Sequence, residues 1–306
     1  MPFTRRQFLS AAPAALAAST LDIRALLAKA AGQDAPPTSF RPLRRSVGIF
    51  IGQGGTIGWH VDAKGAAVID SQFPATARIC LQGIQERTQG RTIDYLLNTH
   101  HHADHTAGNA VFQPAVRKIL AHANVPKLQE DAAGRRGPGA SDPVVVANAT
   151  FVHAWHDKVG KEEMELRHYG PAHTSGDAVI TFEKANVVHM GDLVFNRRHP
   201  FIDRPSGASI ANWMALLDRV AAEHERDTIY VFGHGSPKFG ETGRRADLLY
   251  MRDYLGALLE FVRGEMKRGQ TREAIVRVTD PLPGFADHGP LVERALGPAY
   301  DELAGS

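Results

Sequence analysis

The sequence has 306 residues, 43% of them hydrophobic, which is enough to bury the core of one large domain or two small ones. Its 35 lysines and arginines nearly balance its 33 aspartates and glutamates, which excludes a broad basic field for nucleic acid or an anionic membrane. Cys80 is the only cysteine, so internal disulfides and cysteine-based metal clusters are excluded, and a metal site must use histidine and carboxylate ligands.

The first 31 residues have the features of an export signal, in the usual order. The stretch TRRQFLSAAPAALAAS contains the pair Arg5 and Arg6, then Phe8 and Leu9, then an alanine-rich run too short to anchor stably in a bilayer. It resembles a twin-arginine signal, with small-residue cleavage sites between about residues 17 and 31. We therefore expect a periplasmic or secreted protein that the twin-arginine machinery exports and that keeps no stable membrane anchor.

Residues 32–45 are predicted to form a proline-containing linker, and a single domain is expected over 46–306. The domain begins with short β-favouring runs separated by glycine-containing turns, a pattern typical of an antiparallel meander. A helix and another strand then lead into a histidine-rich segment. The predicted strands are 47–51, 56–61, 67–69 and 92–98, and the predicted helix is 74–89.

In the remainder of the domain, strands again precede helices. Residues 129–143 are glycine-rich and polar, which predicts an exposed loop. Ser209 is expected to N-cap one helix, and a longer helix follows whose apolar stripe belongs in the core. The predicted strands are 117–122, 164–169, 178–183, 186–190 and 228–234, and the stripe comprises Met251, Leu255, Leu258, Val262 and Met266. Two halves of this kind indicate an α/β fold in which two sheets pack face to face with helices outside.

The segment LLNTHHHADHTAGN, residues 96–109, provides four candidate metal ligands close together. His100 and His102 project to the same side of an extended chain, so their imidazoles can converge on one ion. Asp104 and His105 can point toward a second ion as the chain turns. Neutral imidazole and carboxylate hold zinc when thiolates are absent, so this spacing predicts a metal site.

Three further candidate ligands follow predicted strands, where a rigid scaffold can position a loop. His173 lies in GPAHTSGD, Asp192 in VVHMGD and His234 in VFGHG. Each has a glycine nearby, which lets the backbone turn tightly around a site. These residues are therefore expected to complete the site that the histidine-rich segment begins.

With these motifs in order, the sequence resembles the metallo-β-lactamase superfamily of metallohydrolases over roughly residues 46–240. The family signature H-x-H-x-D-H matches the histidine-rich segment, and the family's remaining ligands match the three remote residues. The resemblance implies a four-layer αββα sandwich and two Zn²⁺ ions, or other divalent metals such as Fe or Mn. It assigns His100, His102 and His173 to site 1, Asp104, His105 and His234 to site 2, and Asp192 to a bridging position.

Three other residues near these motifs have different expected roles. His101 occupies an x position of the signature and is expected to point away from the metals. For Asp70 and Asp177 the resemblance suggests carboxylates that orient the ligand loops, since a ligating histidine usually donates its other N–H to a partner. Capping of a strand end is the alternative for both.

The resemblance implies hydrolysis of a small-molecule substrate. Two zinc ions that share a water lower its pKa, and the resulting hydroxide attacks an ester, thioester, lactone or amide-type bond while Asp104 orients it. Asp192 occupies a position where lactamases proper usually have cysteine or serine, so the resemblance is closer to other hydrolases of the family. β-Lactamase activity, main or secondary, is kept as an alternative because the nucleophile would be the same. A mononuclear iron persulfide dioxygenase or a non-catalytic metal-binding protein would also be consistent with the motifs.

The segment LVFNRRHPFIDRPSG follows the bridging aspartate and contains three arginines. Arg197, Arg198 and Arg204 are candidates for binding a substrate carboxylate bidentately, and solvated surface positions are the alternative.

Overall fold

The computed structural model describes residues 37–135 and 144–305. The predicted export signal, residues 1–31, and the beginning of the predicted linker lie outside the described residues, as does most of the predicted loop at 129–143. Among the helices that are described, none is long and apolar enough to cross a membrane.

The first sheet of the described chain has seven strands in sequence order. Its first four strands pair antiparallel, as predicted for the meander. The fourth strand also pairs parallel with the fifth, and the parallel pairing continues to the seventh. The strands are Ser39–Arg44 (β1), Val47–Ile51 (β2), Ile57–Val61 (β3), Ala66–Ile69 (β4), Ile93–Leu97 (β5), Val116–His122 (β6) and Ala149–Phe151 (β7). Parallel strands have their carboxyl ends at one edge, and this edge carries the histidine-rich segment.

The second sheet has six strands in the described chain, in the order β15-β13-β11-β10-β9-β8. The strands are Ala154–Val159 (β8), Glu162–Arg167 (β9), Val179–Phe182 (β10), Val187–His189 (β11), Ile229–Val231 (β13) and Thr242–Gly243 (β15). Strand β11 pairs parallel with β13, so the segments that follow these two strands emerge side by side. Beyond them, Phe195–Asn196 (β12) and His234–Gly235 (β14) form a short parallel pair.

The helices form the outer layers. They are Pro74–Thr88 (α1), Ala103–Thr106 (α2), Asn109–Phe112 (α3), Val125–Gly134 (α4), Ile210–Glu223 (α5), Arg245–Lys267 (α6), Arg272–Ile275 (α7) and Glu293–Ala304 (α8). Proline at the start of α1 suits the first turn, where its missing N–H costs no hydrogen bond. The Ser209 hydroxyl accepts a hydrogen bond from the Asn212 amide and caps α5, as predicted.

Three clusters of buried side chains define the layers. One cluster lies between the sheets and includes Ile49, Leu97 and Phe182. A second joins the first sheet to α1 through Cys80 and Ile84, and the third joins the second sheet to α5, α6 and α8. The predicted four-layer αββα sandwich is therefore confirmed. Four residues of the predicted stripe on α6 are buried, namely Met251, Leu255, Leu258 and Val262, and Met266 is partly buried against them.

Two boundaries predicted from the sequence are wrong. The linker prediction extended to residue 45, but Ser39–Arg44 pairs with β2 as an edge strand, which tolerates Pro42. The predicted exposed loop at 129–143 begins inside a helix, because α4 continues to Gly134 with Gln129 buried. In both places tertiary contacts override a polar or proline-containing local composition.

Candidate metal centre

All seven predicted ligands lie at one edge of the sandwich, each in a segment that follows a strand. The histidine-rich segment follows β5, and His173 lies in the loop between β9 and β10. Asp192 lies just after β11, and His234 lies just after β13. The parallel pairing of β11 with β13 brings these last two ligands together, although 42 residues separate them in sequence.

The three histidines assigned to site 1 direct one nitrogen each toward a common point. His102 Nδ1 lies 3.0 Å from His100 Nε2 and 2.9 Å from His173 Nε2. In a tetrahedral zinc site with Zn–N bonds of about 2.0–2.1 Å, neighbouring ligand nitrogens lie about 3.3 Å apart. The three nitrogens therefore lie close enough together to converge on one ion.

The ligands assigned to site 2 form a second convergent set. His234 Nε2 lies 3.1 Å from Asp104 Oδ2 and 3.4 Å from His105 Nε2. His105 Nε2 lies 3.8 Å from Asp104 Oδ2. His105 is fully buried, whereas the side chain of Asp104 is 30% exposed and opens this set to solvent.

Asp192 lies between the two sets and contacts both. Its Oδ1 lies 3.0 Å from His105 Nε2, and its Oδ2 lies 3.4 Å from His234 Nε2. The same Oδ2 lies 3.6 Å from His173 Nε2 and 3.9 Å from His100 Nε2. Oδ1 is buried, and its contact with His105 Nε2 lacks hydrogen-bond geometry, so within the described residues no hydrogen bond satisfies this carboxylate oxygen. A metal ion between the ligand sets would satisfy it, so the donor atoms fit the ions that the sequence predicts.

Asp70, predicted to orient ligand loops, contacts two of the ligand histidines, one directly and one through a hydroxyl. Its Oδ2 accepts a hydrogen bond from His105 Nδ1 at 2.7 Å and another from the Thr99 hydroxyl at 2.7 Å. That hydroxyl accepts in turn from His100 Nδ1 at 3.0 Å. These bonds fix the tautomers of His100 and His105 so that Nε2 of each faces the site.

Asp203 is a functional residue that the sequence did not reveal. Its Oδ2 accepts a hydrogen bond from His102 Nε2 at 2.9 Å, which leaves Nδ1 of His102 facing the other ligands. His173 is held in a similar way, because its Nδ1 donates to the Phe201 carbonyl at 2.6 Å. Both partners belong to the segment after Asp192, and no motif marks them.

Asp177 and His101 contact the site less directly. Asp177 accepts from the Thr174 amide at 2.8 Å and from the Thr174 hydroxyl at 2.6 Å, so it orders the loop of His173 without touching a ligand. Burial raises the pKa of Asp177 to about 7 against these hydrogen bonds. His101 directs its Nε2 to Ser206 Oγ at 3.3 Å, away from the convergent nitrogens of site 1.

The two ligand sets differ in electrostatics. Burial lowers the pKa of His173 to about 3 and also lowers that of His100, so both are neutral ligands. For His234, burial is outweighed by the carboxylates of Asp192 and Asp104, which raise its pKa to about 9. Asp192 shows the converse, since burial opposes ionisation but His234 and His105 hold its pKa well below the ordinary value. Site 2 therefore stabilises positive charge, whether of protons or of a metal ion.

Two glycines provide the space that the ligands occupy. A Cβ added at Gly233 would lie 1.9 Å from Asp192 Oδ1, and one added at Gly55 would lie 2.1 Å from His105 Cε1. Neither distance is compatible with a side chain. The glycines near the predicted ligands therefore allow close approach of the backbone.

The three candidate arginines differ in the contacts of their guanidinium groups. Arg197 forms a short ion pair with Asp247 and packs on Tyr250, so its guanidinium already has protein partners. The same holds for Arg204, which donates to the Ala208 carbonyl at 2.7 Å and pairs with Glu302 at 3.1 Å. Arg198 is exposed and lines a cavity that His234 also lines.

This fold and this ligand set agree with comparison to known proteins. A sequence model of the metallo-beta-lactamase superfamily matches residues 8–234. The chain belongs to this superfamily. Membership, with relatives named as hydrolases, identifies the protein as a metal-dependent hydrolase.

Three curated relatives show how far the similarity extends. The alpha subunit of a 2,4-dinitroanisole O-demethylase from Nocardioides sp. is 29% identical over 43% of this chain, and the match spans only 38% of that subunit. A probable metallo-hydrolase from Methanocaldococcus jannaschii is 27% identical over 61% of this chain and 89% of its own. A probable hydroxyacylglutathione hydrolase from Schizosaccharomyces pombe is 25% identical over 72% of this chain and 80% of its own.

Solved structures support the fold. A metallo-beta-lactamase from Pontibacter korlensis superposes with a TM-score of 0.59 at 16% identity and covers 71% of this chain and 99% of its own. The sec-alkylsulfatase Pisa1 from Pseudomonas sp. superposes with a TM-score of 0.68 at 17% identity, over 88% of this chain and 50% of its own. At these identities the similarity concerns the fold alone.

Proposed function

We propose that the protein is an exported dinuclear zinc hydrolase that cleaves an ester, thioester, lactone or amide-type bond. The position of Asp192 carries the proposal, because its two oxygens lie against both ligand sets and one of them has no other partner. Two divalent ions held there would acidify a water and polarise an acyl oxygen. The choice of zinc rests on the donor set, which consists of neutral imidazoles and carboxylates without thiolate.

Within this proposal, individual residues of the chain have defined tasks. Asp104 is the most exposed carboxylate of the ligand set, so it can accept a hydrogen bond from the attacking water and orient it. Asp70 and Asp203 hold the imidazoles of His105 and His102 in the required tautomers. Hydrolysis at an acyl centre also fits the relative named as a probable hydroxyacylglutathione hydrolase.

The test is a substrate screen of the zinc-loaded protein, with metal content measured alongside. Lactones, thioesters, carboxylic esters, phosphoesters and β-lactams would be compared by kcat/KM. We expect two zinc ions per chain and turnover of at least one acyl substrate. One iron per chain with oxygen uptake would instead support the persulfide dioxygenase, and turnover of β-lactams alone would support the lactamase. Tight metal binding without turnover would support a binding protein.

Substitutions at the ligands make the test specific. His102→Ala and Asp192→Ala should each lower kcat/KM by more than about 100-fold, since even loss of a residue that only orients a ligand costs 10–100-fold. His156→Ala is the matched control, because this imidazole is 58% exposed and lies outside the ligand sets. Rates at the wild-type level in either ligand variant would contradict the dinuclear mechanism, provided that circular dichroism shows a folded protein.

Export is the second part of the proposal and rests on the paired arginines and apolar run at the N-terminus. Replacement of both Arg5 and Arg6 by lysine should retain the protein in the cytoplasm, as measured by cell fractionation. Unchanged fractionation of that variant would contradict export by the twin-arginine route.

A further inference from the structure

The exposed guanidinium of Arg198 has no protein partner in the part of the chain that the structure describes, unlike those of Arg197 and Arg204. It lines a cavity of about 150 Å³ together with His234, Gly55 and Thr56. His234 is a candidate ligand of site 2, so this cavity adjoins that half of the metal centre. A guanidinium in this position is available to an anionic group of a bound molecule.

A carboxylate also lines this cavity and must be considered. Glu241 is one of the lining residues, but its Oε2 pairs with Arg41 Nη2 at 3.3 Å. Its charge is therefore balanced by a residue of β1 and not by Arg198. The cavity consequently presents one uncommitted positive charge to a ligand.

An apolar side chain lies beside the other half of the centre. The ring of Phe201 is centred 5.3 Å from the ring of His102 and 6.3 Å from that of His173, both ligands of site 1. Phe201 is 43% exposed, although large hydrophobic side chains are rarely so exposed in the described chain. Its backbone is fixed, since the carbonyl accepts a hydrogen bond from His173 Nδ1. An exposed aromatic ring on an anchored backbone, beside a candidate metal centre, is suited to contact an apolar part of a substrate.

We propose that the substrate is an ester with an apolar acyl chain and an anionic leaving group, bound with the chain on Phe201 and the anion on Arg198. This inference rests on the proposed hydrolysis and specifies its substrate. In the reaction, water adds its oxygen to the acyl carbon, the bond from carbon to the leaving oxygen breaks, and the leaving oxygen takes a proton. Negative charge develops on the leaving oxygen, so the leaving group belongs on the side of the cation.

Four aryl esters test the proposal. They combine an acetyl or a butyryl group with phenol or with meta-hydroxybenzoate as the leaving group. The zinc-loaded wild-type protein should prefer meta-carboxyphenyl butyrate by kcat/KM. The carboxylate should contribute about tenfold, as a charge-assisted hydrogen bond does. The longer chain should contribute about fivefold, as expected for two partly buried methylene groups.

Two variants should remove the two preferences separately. Arg198→Met should lower the ratio of kcat/KM for charged esters to kcat/KM for neutral esters about tenfold, while the preference for butyrate remains. Arg198→Lys should retain part of the preference for charged esters. Phe201→Ala should remove the preference for butyrate over acetate, and Phe201→Leu should retain it. Arg226→Met and Val152→Ala are the controls, since Arg226 precedes β13 at the end opposite His234 and Val152 is 57% exposed elsewhere.

A binding measurement separates this proposal from the proposed hydrolysis. The probe is the ketone in which a methylene group replaces the ester oxygen of meta-carboxyphenyl butyrate, and its affinity for each zinc-loaded variant is measured by calorimetry. Ester turnover without either preference would overturn the substrate assignment and leave hydrolysis standing. Absence of turnover, with ketone affinity that depends on Arg198 and Phe201, would overturn ester hydrolysis and support the binding mode. Absence of turnover, together with a ketone affinity that does not depend on Arg198 and Phe201, would overturn both ester hydrolysis and the binding mode.

Discussion

At the scale of single residues, the centre depends on hydrogen bonds that select one nitrogen of each imidazole. Asp203 accepts from Nε2 of His102, so Nδ1 faces His100 and His173. His102 is also the most exposed histidine of site 1, at 17% of its side chain, and has the least packing to hold it. The carboxylate of Asp203 is therefore a positioning group for site 1.

Asp203→Asn should weaken metal binding at site 1. The amide can accept from His102 with its oxygen but carries no charge to support the ligand, and a loss of about 10–100-fold in affinity is typical for such partners. Calorimetric titration of zinc into the metal-free protein, prepared with a chelator, would measure the loss of affinity. Asp218→Asn, on the outer face of α5, is the control and should bind zinc as the wild type does. Equal affinities in both variants would show that Asp203 does not position His102.

The candidate ligands that converge in the structure could be named from the sequence, but their hydrogen-bond partners could not. His100 to His105 lie within one short motif, and His173, Asp192 and His234 follow strands beside glycines. Asp203 carries no such signal, because its contact with His102 joins positions 101 residues apart. The Phe201 carbonyl is a backbone group and leaves no trace in the sequence. The ion pairs of Arg197 and Arg204 could not be predicted for the same reason, since their partners Asp247 and Glu302 are distant in sequence.

At the scale of elements, α8 stabilises the segment that carries these partners. Glu302 accepts hydrogen bonds from the Ile210 amide at 2.8 Å and the Ala211 amide at 2.9 Å, and so caps the first turn of α5. It also pairs with Arg204, the neighbour of Asp203 in sequence. Helices α6 to α8 follow the part of the chain that the superfamily model matches. The role of α8 could not be predicted, because it depends on contacts between elements about 90 residues apart.

Glu302→Gln should lower the melting temperature. An amide in place of the carboxylate directs a donor toward one of the backbone N–H groups and removes the charge that stabilises the helix start, a loss of about 1–3 kcal/mol. For a protein of this size that corresponds to roughly 2–4 °C per kcal/mol. Calorimetric scans with zinc in fixed excess would measure the shift.

Glu260→Gln on α6 is the matched control for this substitution, since Glu260 is 74% exposed and, within the described residues, pairs only with Arg263 one turn further along the helix. An exposed pair of this kind contributes about 1 kcal/mol or less, so its melting temperature should barely change. Equal shifts in the two variants would contradict the capping role of Glu302.

At the scale of the whole molecule, the sandwich also keeps buried histidines neutral outside the two ligand sets. Burial lowers the pKa of His122 to about 4 and that of His288 to about 3. His288 stacks on Tyr254 at 4.0 Å between ring centres, and no ring nitrogen of His288 forms a hydrogen bond of normal geometry within the described chain. Repulsion between the protonated rings of His288 and His199, and repulsion from Arg197, lower its pKa further.

These lowered values predict that the protein loses stability in mild acid. As the pH falls below about 6.5, histidines of the unfolded chain bind protons that the folded protein does not accept. The free energy of unfolding therefore decreases as the pH falls from about 6.5 toward the pKa of each buried histidine. For His288 this loss continues to about pH 3.

His288→Phe should reduce this loss, because phenylalanine can stack on Tyr254 without a group that titrates. The measurement is urea unfolding of the metal-free protein, prepared with a chelator, between pH 7 and pH 4. The free energy of unfolding should decrease less over this range for the variant than for the wild type. Chelation removes the separate effect of pH on metal binding. His156→Phe, at an exposed imidazole, should retain the full decrease. A decrease of equal size in His288→Phe and the wild type would mean that the buried ring at His288 accepts a proton in the folded protein as readily as in the unfolded chain.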